Sequence, residues 1–205
     1  MIAIIDYGVG NLFSLLSSLE FIGAKAVITD DADVIGSADK LFLPGVGAFG
    51  DAMEKLKKSG LDKTLLAAAD RGTDIMGICL GMQLLFEKSY EYGEHQGLGL
   101  IPGVMADLKE DIPANLKVPH MGWNSLHLTE KGKKHPLFKY SKEGDYVYFV
   151  HSFYGKDCDE SLLATSEYGI PVTASAANEN VMGCQFHPEK SGEVGLRILK
   201  AFSEI

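Results

Sequence analysis

Short apolar runs bounded by glycine and proline open this chain, and they alternate with segments whose apolar residues recur at helical spacing. Residues 2–6 read as a buried strand, and residues 11–21 as a helix with Leu12, Leu15, Leu16 and Leu19 on one face. Residues 25–29 and 40–43 read as strands, 49–58 and 61–71 as helices, and 75–78 as a further strand. Strands alternating with helices predict a parallel sheet with crossover helices. The pattern then changes. Residues 100–108, 117–128, 146–152, 161–168, 172–178 and 181–186 are strand-like and mostly alternating, with Gly, Pro and Asp at the breaks. That predicts antiparallel hairpins added to the edge and face of the core sheet, before a closing helix at 193–202. The polar stretch Lys131 to Lys134 reads as a solvated loop. The expected fold is therefore α/β: a mostly parallel open sheet flanked by helices, with added antiparallel strands in the C-terminal half. No repeat, low-complexity tract or linker divides it, so residues 1–205 are expected to form a single domain.

Candidate chemistry begins at Cys79, in Gly77-Ile-Cys79-Leu-Gly81. An apolar strand runs into this motif, and a helix-like segment, 82–88, runs out of it. The spacing is the cysteine form of a nucleophile elbow, in which flanking glycines leave room for a sharp strand-to-helix turn. The sulfur would then sit over a helix N-terminus, where the dipole favours thiolate. Near the C-terminus stands Phe186-His187-Pro-Glu189. In an extended chain His187 and Glu189 point to the same side. A cysteine nucleophile needs a base in reach, and the base needs an acceptor that holds its tautomer. Cys79, His187 and Glu189 supply those three roles.

Gly45-Val-Gly47-Ala-Phe-Gly50 follows a strand and matches the dinucleotide pattern G-x-G-x-x-G. It follows the third strand rather than the first, and no acidic residue ends a second strand at the required place. An oxyanion loop is the better reading, because acyl transfer from an amide needs two donors for the developing O⁻. The Leu80 N–H, just after the nucleophile, is one candidate, and the 44–47 backbone supplies the other.

Composition narrows the field. A net charge of −9 disfavours nucleic-acid partners. The three cysteines form no C-x-x-C pair, which argues against a disulfide framework and for a reducing compartment, with cytoplasm as the expected address. No apolar run approaches a membrane span, and no basic leader precedes the first strand. The six histidines show no zinc spacing, so neither metal nor cofactor is expected.

The Gly-x-Cys-Leu-Gly-Met-Gln run with its distal Phe-His-Pro-Glu resembles the class I (triad) glutamine amidotransferases, which are flavodoxin-like in fold. The opening 4–12, the loop 43–49, Pro119-His-Met-Gly-Trp-Asn124 and Tyr148-Phe-Val-His-Ser-Phe153 further resemble the glutaminase subunit family of imidazole glycerol phosphate synthase. The likeness runs from residue 2 to about 200, with Phe153 standing where tyrosine is expected. It implies hydrolysis of glutamine to glutamate and ammonia through a cysteinyl thioester. It also implies ammonia transfer to a (β/α)8-barrel cyclase subunit, in a step of histidine biosynthesis. The second oxyanion donor becomes the Val46 N–H. Gly47, the Ser152 and Phe153 backbone, and Gln83, at either the α-amino or the carboxylate end, become substrate contacts. Tyr7, Asn11, Trp123, Asn124, Tyr148 and Lys190 become partner-interface residues. A glutaminase for another synthase (anthranilate, aminodeoxychorismate or pyridoxal phosphate) shares the triad but not the Gly-Trp-Asn run. A non-catalytic amidotransferase-like module is disfavoured by the intact triad, and a stand-alone peptide hydrolase is separated from it by whether a barrel cyclase binds.

Overall fold

The computed structural model describes residues 1–205. Along the chain come β1 (Ile2–Ile5), α1 (Leu12–Phe21), β2 (Ala26–Thr29), α2 (Ala32–Ser37), β3 (Lys40–Gly45), α3 (Phe49–Ser59), α4 (Leu61–Asp70), β4 (Asp74–Cys79) and α5 (Leu80–Leu85). There follow β5 (Phe86–Ser89), β6 (His95–Gln96), β7 (Ile101–Asp107), α6 (Leu108–Asp111), β8 (His120–Ser125), β9 (His127–Leu128) and α7 (Glu130–Lys134). The chain ends with β10 (Tyr146–His151), β11 (Phe153–Lys156), β12 (Leu162–Glu167), β13 (Pro171–Asn178), β14 (Val181–Cys184) and α8 (Gly192–Ser203).

The main sheet has eight strands in the order β2-β1-β3-β4-β14-β13-β12-β9. Its first five strands pair in parallel, and the last three add antiparallel beyond β14. This is the α/β arrangement that the hydrophobic pattern predicts. Alternation divides β3 between the two faces: Leu41 and Leu43 pack under α3 and α4, while Phe42 packs under α1 and α8. Phe42 meets Phe202 of α8 edge-to-face, ring centroids 4.7 Å apart.

Three local expectations fail for identifiable reasons. The segment 82–88 is not one helix: α5 stops at Leu85, and residues 86–89 become β5, whose first residue Phe86 pairs with Ile101 of β7. Gln83, Glu87 and Lys88 fall at helical spacing among apolar residues, so periodicity alone carries the helix into residues that pair as a strand. The 131–134 stretch is not a loop but the short helix α7, capped by the Thr129 hydroxyl accepting from the Gly132 N–H. Its Lys131 ammonium donates to the Glu160 and Ala177 carbonyls. The single strand expected at 117–128 is broken into β8 and β9, which join different sheets.

β8 and β10 form a separate antiparallel ribbon in which His120 faces His151. The bonds fix both tautomers. Nδ1 of His151 lies 2.9 Å from the Phe153 carbonyl oxygen, which can only accept, so that nitrogen carries the hydrogen. Nε2 of His151 must then accept from His120 Nδ1 at 2.9 Å, and His120 Nε2 accepts from the Asn124 amide at 3.2 Å. The His120 ring stacks between Phe149 and Tyr168, at centroid distances of 4.7 and 4.1 Å. Burial pulls His120 down to about 4. Burial likewise pulls His151 down to about 3, partly opposed by its bond to the Phe153 carbonyl.

Both rings are therefore neutral in the folded chain, whereas unfolded histidines take up protons near pH ~6.5. Below that pH the unfolded state binds more protons, so stability falls as pH drops from about 6.5 towards about 4. Thermal unfolding of the native chain should show a declining midpoint over that window. His120→Gln keeps a donor and an acceptor but removes one titrating ring. It should unfold at lower temperature near neutrality and show a shallower decline, and an unchanged slope would count against this account.

Candidate active site

Cys79 ends β4 with φ 53° and ψ −111°, a conformation that non-glycine residues rarely adopt. Packing around it enforces this geometry. Gly77 of β4 lies beside Gly183 of β14, and Met82 of α5 rests on the pair. A Cβ on Gly77 would approach the Met82 Cα to 2.6 Å, and one on Gly183 would come within 2.6 Å of the Met82 Cγ. A Cβ on Gly81 would overlap the Leu43 carbonyl oxygen. The helix thus starts directly against the sheet, and the preceding residue must turn sharply to join it.

The sulfur lies in a cleft of about 290 Å³ that also draws lining from Val46, Gly47, Gln83, Ser152, Phe153 and His187. Cys79 itself is nearly buried. Its thiol is placed to donate to the Val150 carbonyl at 3.8 Å. Helix α5 spans six residues, less than two turns, so its dipole is a weaker source of thiolate stabilisation than the sequence suggests.

His187 follows β14. Its backbone N–H donates to the Tyr148 carbonyl at 2.9 Å, and its own carbonyl accepts from the Ser191 hydroxyl at 2.6 Å. Nδ1 sits 2.8 Å from Glu189 Oε1, with both side chains 3% exposed. What joins them is a 3₁₀ turn, Pro188–Lys190, rather than the extended alternation expected from sequence. Because Nδ1 donates to the carboxylate, Nε2 is left as the basic nitrogen. Nε2 is buried and makes no hydrogen bond. Burial lowers the basicity of this imidazole, but Cys79 and Glu189 overcome it and raise the group to about 9. Closeness to the sulfur and to the carboxylate acts through both hydrogen bonding and charge.

The loop from β3 to α3 carries Val46 and Gly47 along the cleft beside Leu80. Gly47 has φ +105°, open to glycine alone at little strain. Tyr7 steadies this loop: its hydroxyl donates to the Pro44 carbonyl at 2.9 Å. Tyr7 is buried, contrary to the expectation that it faces a partner. Asn124 also departs from that expectation. Its amide donates to the Glu167 carbonyl and to His120, and its oxygen accepts from the Ser125 N–H, so its polar atoms are engaged within the chain. Trp123 is 55% exposed and meets Tyr148 edge-to-face on the β8–β10 ribbon, with Lys190 above the Tyr148 ring. Asn11 lines a narrow cavity behind the triad, shared with Pro44, Val46, His187 and Glu189. The second carboxylate oxygen of Glu189 is buried there without a protein partner.

Gln83 is buried rather than displayed on a helix surface. Its amide nitrogen donates to the Phe153 carbonyl at 3.3 Å and to Gln185 Oε1 at 3.0 Å. Both its hydrogens are engaged, so its remaining capacity is to accept. Glu91 went unnoticed in the sequence. It stands on the cleft wall, and its carboxylate accepts from the Phe49 N–H at the start of α3, 2.5 Å away. Burial raises this carboxyl, opposed by the Phe49 N–H. A glutamate in a Glu-Lys-Ser-Tyr-Glu-Tyr stretch after a misread helix carries no signal of its own. No three His, Cys, Asp or Glu side chains are grouped to share a metal ion, and no helix is long and apolar enough to cross a membrane.

Residues 3–204 match the family model of the class-I glutamine amidotransferases. The imidazole glycerol phosphate synthase subunit HisH of Wolinella succinogenes is 49% identical over 207 residues, covering 100% of both chains. The subunit of the same name from Listeria monocytogenes serotype 4a is 49% identical over 205 residues, covering 100% of this chain and 96% of that one. Among solved structures, a glutamine amidotransferase superposes with a TM-score of 0.76 at 15% identity over 100% of each chain, a likeness of fold. The elbow at Cys79, the turn at His187 and these relatives agree: the chain belongs to the class-I glutamine amidotransferase family, alongside the HisH subunits of imidazole glycerol phosphate synthase.

Proposed function

We propose that this single-domain chain hydrolyses glutamine with Cys79 as nucleophile, His187 as base and Glu189 as orienting acceptor, and hands the ammonia to a cyclase subunit. The observation that carries the reading is the cleft in which Cys79 and His187 meet, with Glu189 bonded to the far side of the imidazole. His187 Nε2 takes the thiol proton, and Glu189 stabilises the imidazolium. The thiolate attacks the side-chain amide carbon of glutamine. The oxyanion is held by the N–H groups of Val46 and Leu80, each contributing about 3 kcal/mol to the transition state. His187 returns the proton to the departing nitrogen, which leaves as ammonia. Water, deprotonated by the same imidazole, then cleaves the γ-glutamyl thioester to glutamate. Nucleophile, base and donors all come from the chain, so the chemistry needs no cofactor.

The substrate's charged end follows from hydrogen-bond capacity. Gln83 offers only its oxygen to the cleft, and Glu91 adds a carboxylate on the same wall. Together they suit the α-ammonium group. The N–H groups of Ser152, Phe153 and Gly47 are left for the α-carboxylate. The sequence leaves open which end Gln83 takes; its engaged donors favour the ammonium.

Ammonia released into water would protonate and lose its nucleophilicity, so a covered route is required. The surface formed by Trp123, Tyr148, Lys190 and Asn11 borders the triad and suits docking of a (β/α)8-barrel cyclase, in the cytoplasm, where histidine biosynthesis proceeds. A glutaminase serving another synthase is the alternative; the HisH relatives, matched over the full chain, favour the imidazole glycerol phosphate reading.

Cys79→Ala should abolish glutamine hydrolysis while the circular dichroism spectrum and unfolding midpoint stay unchanged; surviving turnover would remove the nucleophile assignment. Glu91→Gln should raise KM for glutamine roughly 10- to 100-fold, the loss of one charge-assisted hydrogen bond, with a smaller change in kcat. An unchanged KM would move the ammonium site elsewhere. Purified alone, the chain should turn over glutamine slowly. Mixed with a barrel cyclase and its ribotide substrate, it should let glutamine replace ammonia, and failure to do so would point to a different synthase.

A further inference from the structure

We propose that Gln185 is a catalytic residue that donates a side-chain N–H to the Cys79 sulfur and favours its thiolate. The inference rests on the reading of Cys79 as nucleophile. Gln185 is fully buried in the turn after β14, two residues before His187. Its amide orientation follows from a chain of bonds. The Phe153 carbonyl can only accept, so the Gln83 atom 3.3 Å from it is nitrogen. That nitrogen also lies 3.0 Å from Gln185, which must therefore present oxygen. The Gln185 nitrogen is left facing the Cys79 Sγ at 3.6 Å, within the range of an N–H···S bond.

The sulfur has need of such a donor. Its other hydrogen-bond contact is the Val150 carbonyl at 3.8 Å, which accommodates a thiol but repels an anion. The helix beyond it has six residues and a correspondingly small dipole. His187 Nε2 makes no formed bond. A neutral amide locked by Gln83 stabilises the anion without titrating, and it is already aimed before glutamine arrives. The same bonds tie the nucleophile to the Phe153 backbone, where the substrate's charged end is read.

The test measures alkylation of Cys79 by iodoacetamide across pH in the full chain, with the modified peptide identified by mass. Gln185→Met keeps volume and removes the donor. It should react about tenfold more slowly at neutral pH, the loss of one hydrogen bond to a charged group. The gap should close at high pH, where the thiol ionises unaided. A gap that persists at every pH would reflect altered access and would overturn the proposal, as would no gap. Gln185→Glu keeps the shape and places an anion by the sulfur; it should react more slowly still at neutral pH. The native chain gives a reading that no substitution can confound. The Gln185 side-chain amide protons should shift in NMR along the same pH curve as alkylation, and resonances indifferent to that curve would refute the bond. If Cys79→Ala retained turnover, the nucleophile reading itself would fail. If turnover needs Cys79 but Gln185 variants alkylate normally, only the role of Gln185 is lost.

Discussion

The parallel pairing of β14 with β4 is the constraint on which the site depends. Its register sets Gly183 against Gly77 and Cys184 against Ile78. The two strands therefore end side by side, so Cys79, the last residue of β4, and Gln185 to Glu189, which follow β14, emerge at the same edge. Slipping the register by one residue would reverse which side chains face each helix layer. It would also remove the paired glycines on which Met82 rests. The closeness of Met82 to the sheet forces the left-handed backbone at Cys79, so sheet register and the geometry of Cys79 are one packing problem. Strain at Cys79, of order 1–3 kcal/mol, is held by that packing.

Around this edge the polar groups bond in a way that leaves specific atoms free. Glu189 uses one oxygen on His187, and the other remains buried and unpaired. Nε2 of His187 is buried and unpaired as well. Each such group costs about 1–3 kcal/mol relative to a satisfied one. Meanwhile the surrounding polar groups are closely bonded: Gln83 to Phe153 and Gln185, His151 to Phe153, His120 to His151, and Asn124 to His120. Two buried unpaired atoms thus sit beside Cys79 amid satisfied supports, and the other three belong to Asp62, Ser141 and Arg197.

Much of this was legible in the chain because its signals are local. Gly77, Cys79 and Gly81 lie within one turn, and the structure uses both glycines for the close approach their spacing implies. Alternation separated β1 to β4 from the antiparallel half, since burial on two faces and on one face leave different patterns. What stayed hidden depends on distant partners. Glu91 matters because its carboxylate reaches the N–H of Phe49. Tyr7 and Asn124 were placed at an interface by the family resemblance. Only the fold reveals that the Tyr7 hydroxyl braces Pro44 and that Asn124 bonds the histidine pair. The break between α5 and β5 was unreadable for a different reason: Gln83, Glu87 and Lys88 fall at helical spacing, so the polar positions suggest one continuous helix.

Tyr7 and Asn124 each bond to a support of the cleft. Were Tyr7 and Asn124 direct contacts, a partner would touch the supports of the site itself. Tyr7 is buried and Asn124 half-buried, so the more exposed Trp123 is the outermost of the three. Tyr7 lies between the first strand-to-helix turn and the Pro44 carbonyl, which leads into the loop carrying Val46. Asn124 lies between the ribbon that carries Trp123 and the His120–His151 pair, which ends on the Phe153 carbonyl at the cleft. Exposed Trp123 and half-buried Asn124 are adjacent on one strand, so the aromatic ring adjoins the bonded network. Both routes are short and consist of hydrogen bonds with a single geometry. The exposed ribbon and the first turn are thus each a short hydrogen-bonded step from a wall of the same cleft, the loop carrying Val46 on one side and the Phe153 backbone on the other.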